Sequence, residues 1–179
     1  MGSALLLRIN AIIEESIVDG EGIRFVIFTQ GCPHDCPQCH NPQTHDFNGG
    51  YLKDIDELYN EIIENPLLQG VTFSGGEPFI QPKPLTALGK RLKNKGLDIV
   101  TYTGFTYESL LTISNDELEL LAITDVLIDG VYDYKKRNLS LEFRGSENQR
   151  ILRLNGGYTK DSKNVRIRPE DGYLRYLEA

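Results

Sequence analysis

Three cysteines fall within eight residues, Cys32-Pro33-His34-Asp35-Cys36-Pro37-Gln38-Cys39, and the sequence has no others. An odd number of thiols in so short a span cannot be a disulfide framework spread over a secreted fold, so it reads as one metal site. Thiolates are the ligands of iron–sulfur cubanes, and three of them leave one iron open to chelate the amino and carboxylate groups of a small molecule. The same donors could close a tetrahedral zinc site with His34, His40 or His45 as fourth ligand. Spacing alone leaves both readings open.

A second run, Ser74-Gly75-Gly76-Glu77-Pro78, has glycines that permit close backbone approach and a carboxylate that accepts hydrogen bonds. Taken alone it also describes a strand-to-helix turn with proline in the first helical turn. No Gly-x-Gly-x-x-Gly or phosphate-loop signature occurs, which disfavours nicotinamide and nucleotide-hydrolysis chemistry.

Elements must bring these runs together. Residues 23–29 form a β-branched and aromatic stretch of strand length, followed by a long polar loop over 31–50. Asp54 caps a helix carrying Leu58, Ile62 and Ile63, and 71–74 reads as a short buried strand. A helix follows over 84–95, with Leu85, Leu88 and Leu92 on one face and Gly96 placed to end it. Then come a strand over 97–102, a helix beginning at 107–111, a helix over 116–122 with a capping box from Ser114 and Glu117, and a strand over 125–128. Residues 151–154 and 165–167 are again strand-like. Alternating strands and helices predict an α/β fold with a mostly parallel sheet, in which ligands sit beyond the carboxyl ends of the strands. Each motif follows a strand: the cysteine loop, Gly75-Gly76-Glu77-Pro78, Tyr102-Thr103-Gly104, and Asp129-Gly130. One rim should collect all four.

The cysteine loop and Ser74-Gly75-Gly76-Glu77-Pro78, each after a strand, together resemble the radical S-adenosylmethionine superfamily. Asp19-Gly20-Glu21-Gly22-Ile23-Arg24-Phe25 and His40-Asn41-Pro42 are similar to motifs of its glycyl-radical-enzyme activases. Arg144-Gly145-Ser146-Glu147-Asn148-Gln149-Arg150 resembles a late motif of the anaerobic ribonucleotide reductase activases. The resemblance implies an incomplete (βα)6-type barrel of about six strand–helix units. It implies a [4Fe–4S] cluster on Cys32, Cys36 and Cys39, S-adenosylmethionine held by Gly75, Gly76, Glu77 and Pro78, and hydrogen abstraction from a glycine of the large reductase subunit. Thr103, Asp129, Ser146 and Asn148 are its further candidate cofactor contacts, with Glu77 accepting from the cofactor's ammonium. A flavodoxin- or ferredoxin-like carrier is the implied electron donor, and the basic turn Lys135-Lys136-Arg137 is a candidate dock for it. The histidines are expected to be supporting donors or solvent-facing groups. An activase of pyruvate formate-lyase is the nearest alternative, but Val131 stands where those activases carry lysine. Gln38 occupies a place that is aromatic in many superfamily members, so adenine packing must rely on other groups. Glu21 replaces a proline frequent in the activases.

The bulk properties are compatible with this. At 179 residues the chain suits one domain, 1–179, and is too short for a full eight-unit barrel. With 40% hydrophobic and 25% charged residues it should fold unaided. A net charge of -7 argues against nucleic acid and anionic membranes as partners. No apolar run reaches the roughly 20 residues that span a bilayer, and residues 1–10 lack a signal-peptide pattern, so a cytoplasmic location is expected.

Overall fold

The computed structural model describes residues 4–154, together with the backbone of strands 165–168 and 175–176. Its core is a nine-stranded open sheet in the order β3-β1-β2-β4-β5-β6-β7-β8-β9. The strands are β1 Leu6–Ser16, β2 Arg24–Thr29, β3 Tyr51–Asp54, β4 Gly70–Gly75, β5 Asp98–Tyr102, β6 Val126–Asp129, β7 Arg150–Leu154, β8 Val165–Arg168 and β9 Arg175–Tyr176. The class is α/β, as the sequence implies. The central strands β2, β4, β5 and β6 pair in parallel, whereas β1 and β3 on one flank and β7 to β9 on the other pair antiparallel. Three strand–helix crossovers join the parallel strands, against the six units that the resemblance implies.

Helices α1 Ile55–Glu64, α2 Pro82–Lys93, α3 Tyr107–Leu110 and α4 Asn115–Ile123 make these crossovers. Period-two alternation divides each central strand between two faces. Phe25, Ile27, Val71, Phe73, Ile99 and Leu127 join Leu58, Ile62, Leu85, Leu88, Leu92 and Leu120 in the main core. A smaller apolar cluster comprises Val100, Ile128 and Ile151, with Tyr102 and Phe143 against it. Asp54 caps α1 by accepting from Asp56 N. Gly96, at φ +84°, follows α2. The expected box at α4 is absent: Ser114 bonds the Glu117 side chain, and the capping box belongs to Thr106 and Ser109 on α3. Among the described residues, no helix is long and apolar enough to cross a membrane.

Arg24, 1% exposed, anchors the amino ends of three parallel strands. Its guanidinium donates to Thr72 Oγ1 at 2.7 Å, Val71 O at 2.9 Å and Glu21 O at 3.0 Å, and pairs with Asp98 at 2.6 Å. A Cβ on Gly20 would lie 2.7 Å from Arg24 Cδ, and one on Gly70 would lie 2.5 Å from its terminal nitrogen. Those glycines make the channel the side chain occupies. Arg24→Ala should leave buried carbonyls without donors and lower unfolding free energy by about 2–4 kcal/mol in chemical denaturation. Arg24→Lys, unable to span the same acceptors, should recover only part of it.

Candidate active site

The register places Thr29 beside Gly75, and Tyr102 and Asp129 end the neighbouring strands on the same edge. Beyond that edge lies a cavity of about 460 Å³, within the range of small-molecule sites. Cys32, Cys36 and Cys39 line it together with Ser74, Gly75, Gly76, Thr103 and Gly130. The expected gathering of four segments on one rim is therefore present.

The cysteine loop is long, and it is braced accordingly. Gly31 N donates to Thr44 O at 2.8 Å, and buried Gln30 donates to Gln43 O and Asp46 O at 3.0 and 2.6 Å. Arg8 reaches across from β1 to Gly49 O at 2.9 Å. Between the cysteines, Asp35 and Gln38 adopt φ of +46° and +56°, a left-handed conformation that non-glycine residues enter at a cost. Those two reversals accompany the presentation of all three thiols to one space.

Burial pushes the Cys32 thiol up to about 11, with Glu77, Cys36 and Cys39 adding to the rise. Cys36 is also raised by burial and is lowered in part by a backbone hydrogen bond from Tyr132. Iron ligation requires thiolates, so it must release these protons. Backbone donors such as that of Tyr132 belong to the interactions that tune a cluster's potential. Asn41 N lies 3.4 Å from Cys39 Sγ as a second such donor.

The donor set fits a cubane: three thiols from one loop and no fourth cysteine. Among the described residues, no three cysteine, histidine or acidic side chains, the three thiols included, are grouped to hold one ion, and the histidines have other contacts. His34 Nε2 is 2.7 Å from Glu77, the His40 ring lies 4.6 Å from that of Tyr132, and His45 is 3.4 Å from Asp35.

Glu77 is wholly buried, and its carboxylate accepts from His34, Thr103 Oγ1, Gly104 N and Phe79 N. Pro78 is buried in the 3-10 turn that follows. Neither Glu77 nor Pro78 lines the cavity; Gly75 and Gly76 do. A Cβ on Gly75 would come within 2.5 Å of Thr29 N, and one on Gly76 within 2.3 Å of Gly31 O. These glycines permit the close approach of the β4 turn to the root of the cysteine loop.

Asp129 is 1% exposed and accepts from Tyr107 N at 2.7 Å and from Arg150 at 2.5 and 2.9 Å. Arg150 also pairs with Glu108, holding that carboxyl below its usual range. Ser146 is buried and accepts from Asp133 N, while Asn148 donates to Val131 O. None of these three lines the cavity. From the same segment it is Arg144, Gly145 and Gln149 that do. Gln149 binds Gly145 N at 2.9 Å and Gly130 O at 3.0 Å, drawing the segment over the end of β6. Sequence reasoning singled out neither Arg144 nor Gln149 as a cofactor contact, because no spacing separates them from Ser146 and Asn148. Asp19, Phe28, Tyr132 and Phe143 also line the cavity, and Tyr102 donates to Phe143 O at 2.6 Å. These rings give the cavity an aromatic surface, to which Gln38 does not contribute.

Comparison with known proteins identifies the family. Residues 18–152 match the family described as a 4Fe-4S single cluster domain. An anaerobic ribonucleoside-triphosphate reductase-activating protein of Haemophilus influenzae is 33% identical over 148 residues, 77% of this chain and 92% of that protein. Its counterpart from Pasteurella multocida is 36% identical over 152 residues, with the same coverage. A pyruvate formate-lyase-activating enzyme of Clostridium pasteurianum is 39% identical over 132 residues, but the match spans only 55% of that protein. The chain thus belongs to the 4Fe-4S single cluster domain family, among the activators of glycyl-radical enzymes.

Proposed function

We propose that the chain activates an anaerobic ribonucleotide reductase by installing a glycyl radical on its large subunit. When bound, a [4Fe–4S] cluster and S-adenosylmethionine supply the chemistry: one electron splits the sulfonium to methionine and a 5′-deoxyadenosyl radical, which takes a glycine hydrogen. The observation that carries the reading is the single cavity shared by three thiols and the glycine turn of β4. The near-complete coverage of the reductase-activating relatives supports this partner over a formate-lyase.

In this reading Cys32, Cys36 and Cys39 hold the cluster, and the backbone of Ser74, Gly75 and Gly76 receives the methionyl end. Arg144 Nε is buried without a hydrogen-bond partner among the described residues, so it is a ready donor for a carboxylate or ribose oxygen. Tyr102, Tyr132 and Phe143 offer faces for the adenine. Thr103, Asp129, Ser146 and Asn148 act as braces of the surrounding loops. We read the central parallel strands as the partial barrel that the resemblance implies, and the free thiols as fitting a reducing cytoplasm. The test incubates reduced, reconstituted protein and S-adenosylmethionine with each candidate partner, followed by electron paramagnetic resonance. A glycyl doublet on the reductase supports the assignment; a doublet only on a lyase refutes it.

An acidic flavodoxin- or ferredoxin-like carrier is the proposed electron source, docking on the exposed basic turn of Lys135, Lys136 and Arg137. Tyr132, a few residues before that turn, lines the cavity with the cysteines. Reversing both lysines to glutamate should slow cluster reduction by the carrier by about tenfold at low salt. Reduction by dithionite should be unchanged. Stopped-flow bleaching of the cluster absorbance measures both.

A further inference from the structure

The Glu77 carboxylate joins three loops. It accepts from Phe79 N at 3.0 Å within its own turn, from Thr103 Oγ1 at 2.9 and 3.0 Å and Gly104 N at 2.9 Å after β5, and from His34 Nε2 at 2.7 Å in the cysteine loop. A carboxylate has about four lone-pair positions, and four protein donors fill them. No acceptor capacity remains for a ligand ammonium.

The His34 ring is itself held in place. It meets the Phe105 ring edge-on, with centroids 4.6 Å apart. Gly104 leaves room for it, since a Cβ there would lie 2.4 Å from the imidazole. Because an ionised carboxylate only accepts, Nε2 carries the hydrogen of this bond. His34 stands between the first two cysteines. Among the described residues, other ties of 33–38 run to His45 inside the same loop and to the Tyr132 backbone. The side-chain link from this stretch to the β4 turn is His34 to Glu77.

We propose that His34 is a positioning residue: through Glu77 it locks the cysteine loop onto the Gly75-Gly76-Glu77-Pro78 turn, and Glu77 is a brace and not the acceptor of the cofactor's ammonium. Backbone bonds from Gly76 N to Thr29 O and from Glu77 N to Gly31 O, both 2.8 Å, already join the turn to the root of the loop; the lock adds a hold on residues 33–38 beyond that root. This deepens the function proposed above and rests on it.

The experiment compares reconstituted wild type with His34→Ala, His34→Gln, Glu77→Gln and the His34→Ala/Glu77→Gln double variant. Circular dichroism and iron content verify folding and loading. Amide hydrogen exchange over 33–38 reads the loop directly, without turnover. The half-saturating S-adenosylmethionine concentration is read from the change it causes in the reduced cluster's resonance spectrum. His34→Ala should keep its iron, exchange faster over 33–38, and need about tenfold more S-adenosylmethionine. His34→Gln, which keeps a donor, should return to within about threefold of wild type. The double variant should be no worse than the poorer single one, because both break the same link. Unchanged exchange and half-saturation in His34→Ala overturn the proposal. So do fully additive losses in the double variant, which would mark Glu77 as a direct ligand. If the wild type yields no 5′-deoxyadenosine, the proposed function fails, while the exchange comparison still decides whether the loops are locked.

Discussion

Cys36→Ala is expected to give a folded, colourless protein that installs no glycyl radical. Cys36 contributes nothing to the main core, which is built from residues such as Leu58, Phe73, Leu88 and Leu120. Its loss should therefore change stability by no more than about 0.5 kcal/mol, the range of surface substitutions. The chemical cost is of another order, because two thiolates cannot hold a cubane and no other cysteine exists to substitute. Radical yield should fall to background, well beyond the roughly 10–100-fold losses seen when a group that merely orients a ligand is removed. Iron and sulfide analysis after anaerobic reconstitution, followed by resonance spectroscopy with the reductase, checks both halves. Cys32→Ala and Cys39→Ala should behave alike. Retention of full iron and radical yield by any of the three would refute the ligand assignment.

The second large effect is on the β4 turn. Gly75 has φ +92°, and an added Cβ would meet Thr29 N at 2.5 Å and Phe28 C at 2.6 Å. Both obstacles are main-chain atoms of β2, directly before the cysteine loop, so neither can rotate away. Gly96 is the internal control: its φ is +84°, but nothing lies within 4 Å of the place a Cβ would take there. Gly96→Ala should cost about 1–2 kcal/mol, the strain of the left-handed conformation alone. Gly75→Ala should carry the same strain and about 1–3 kcal/mol more for overpacking. Denaturant titration of the two variants separates these contributions. Equal losses would show that β2 and β4 yield at this point. Where the Gly75→Ala protein still folds, β2 must have shifted, and its cofactor affinity should fall with it.

The motifs were legible because their chemistry depends on spacing within one short run. Cys32, Cys36 and Cys39 line one cavity, and the strands preceding each motif lie within a residue or two of the expected ends. Strand β1 was not legible. Its inward pair Leu7 and Ile9 alternates properly, but register shifts after Ile9 and after Ile13 break the period. Strand β3 is a four-residue edge, half of it exposed, with no apolar face to reveal it. The pairing direction of β7 was hidden for another reason: the connection from β6 contains no α-helix, and a parallel return needs a crossover.

Site roles followed the same division. Asp129 and Glu77 both end or follow strands, which marks them as rim residues, but their partners are remote in sequence. Arg150 lies 21 residues from Asp129, and His34 lies 43 from Glu77. No local pattern indicates that such carboxylates are already engaged. The box at Thr106 and Ser109 was missed because Ser109 replaces the usual acidic or amide residue.

The Arg24 anchor and the thiols occupy opposite ends of one six-residue strand, about 20 Å apart at extended-chain rise. Durability is thereby invested at one pole and reactivity at the other. A change on the rim, such as one at the exposed turn of Lys135, Lys136 and Arg137, therefore leaves the foundation beneath it intact.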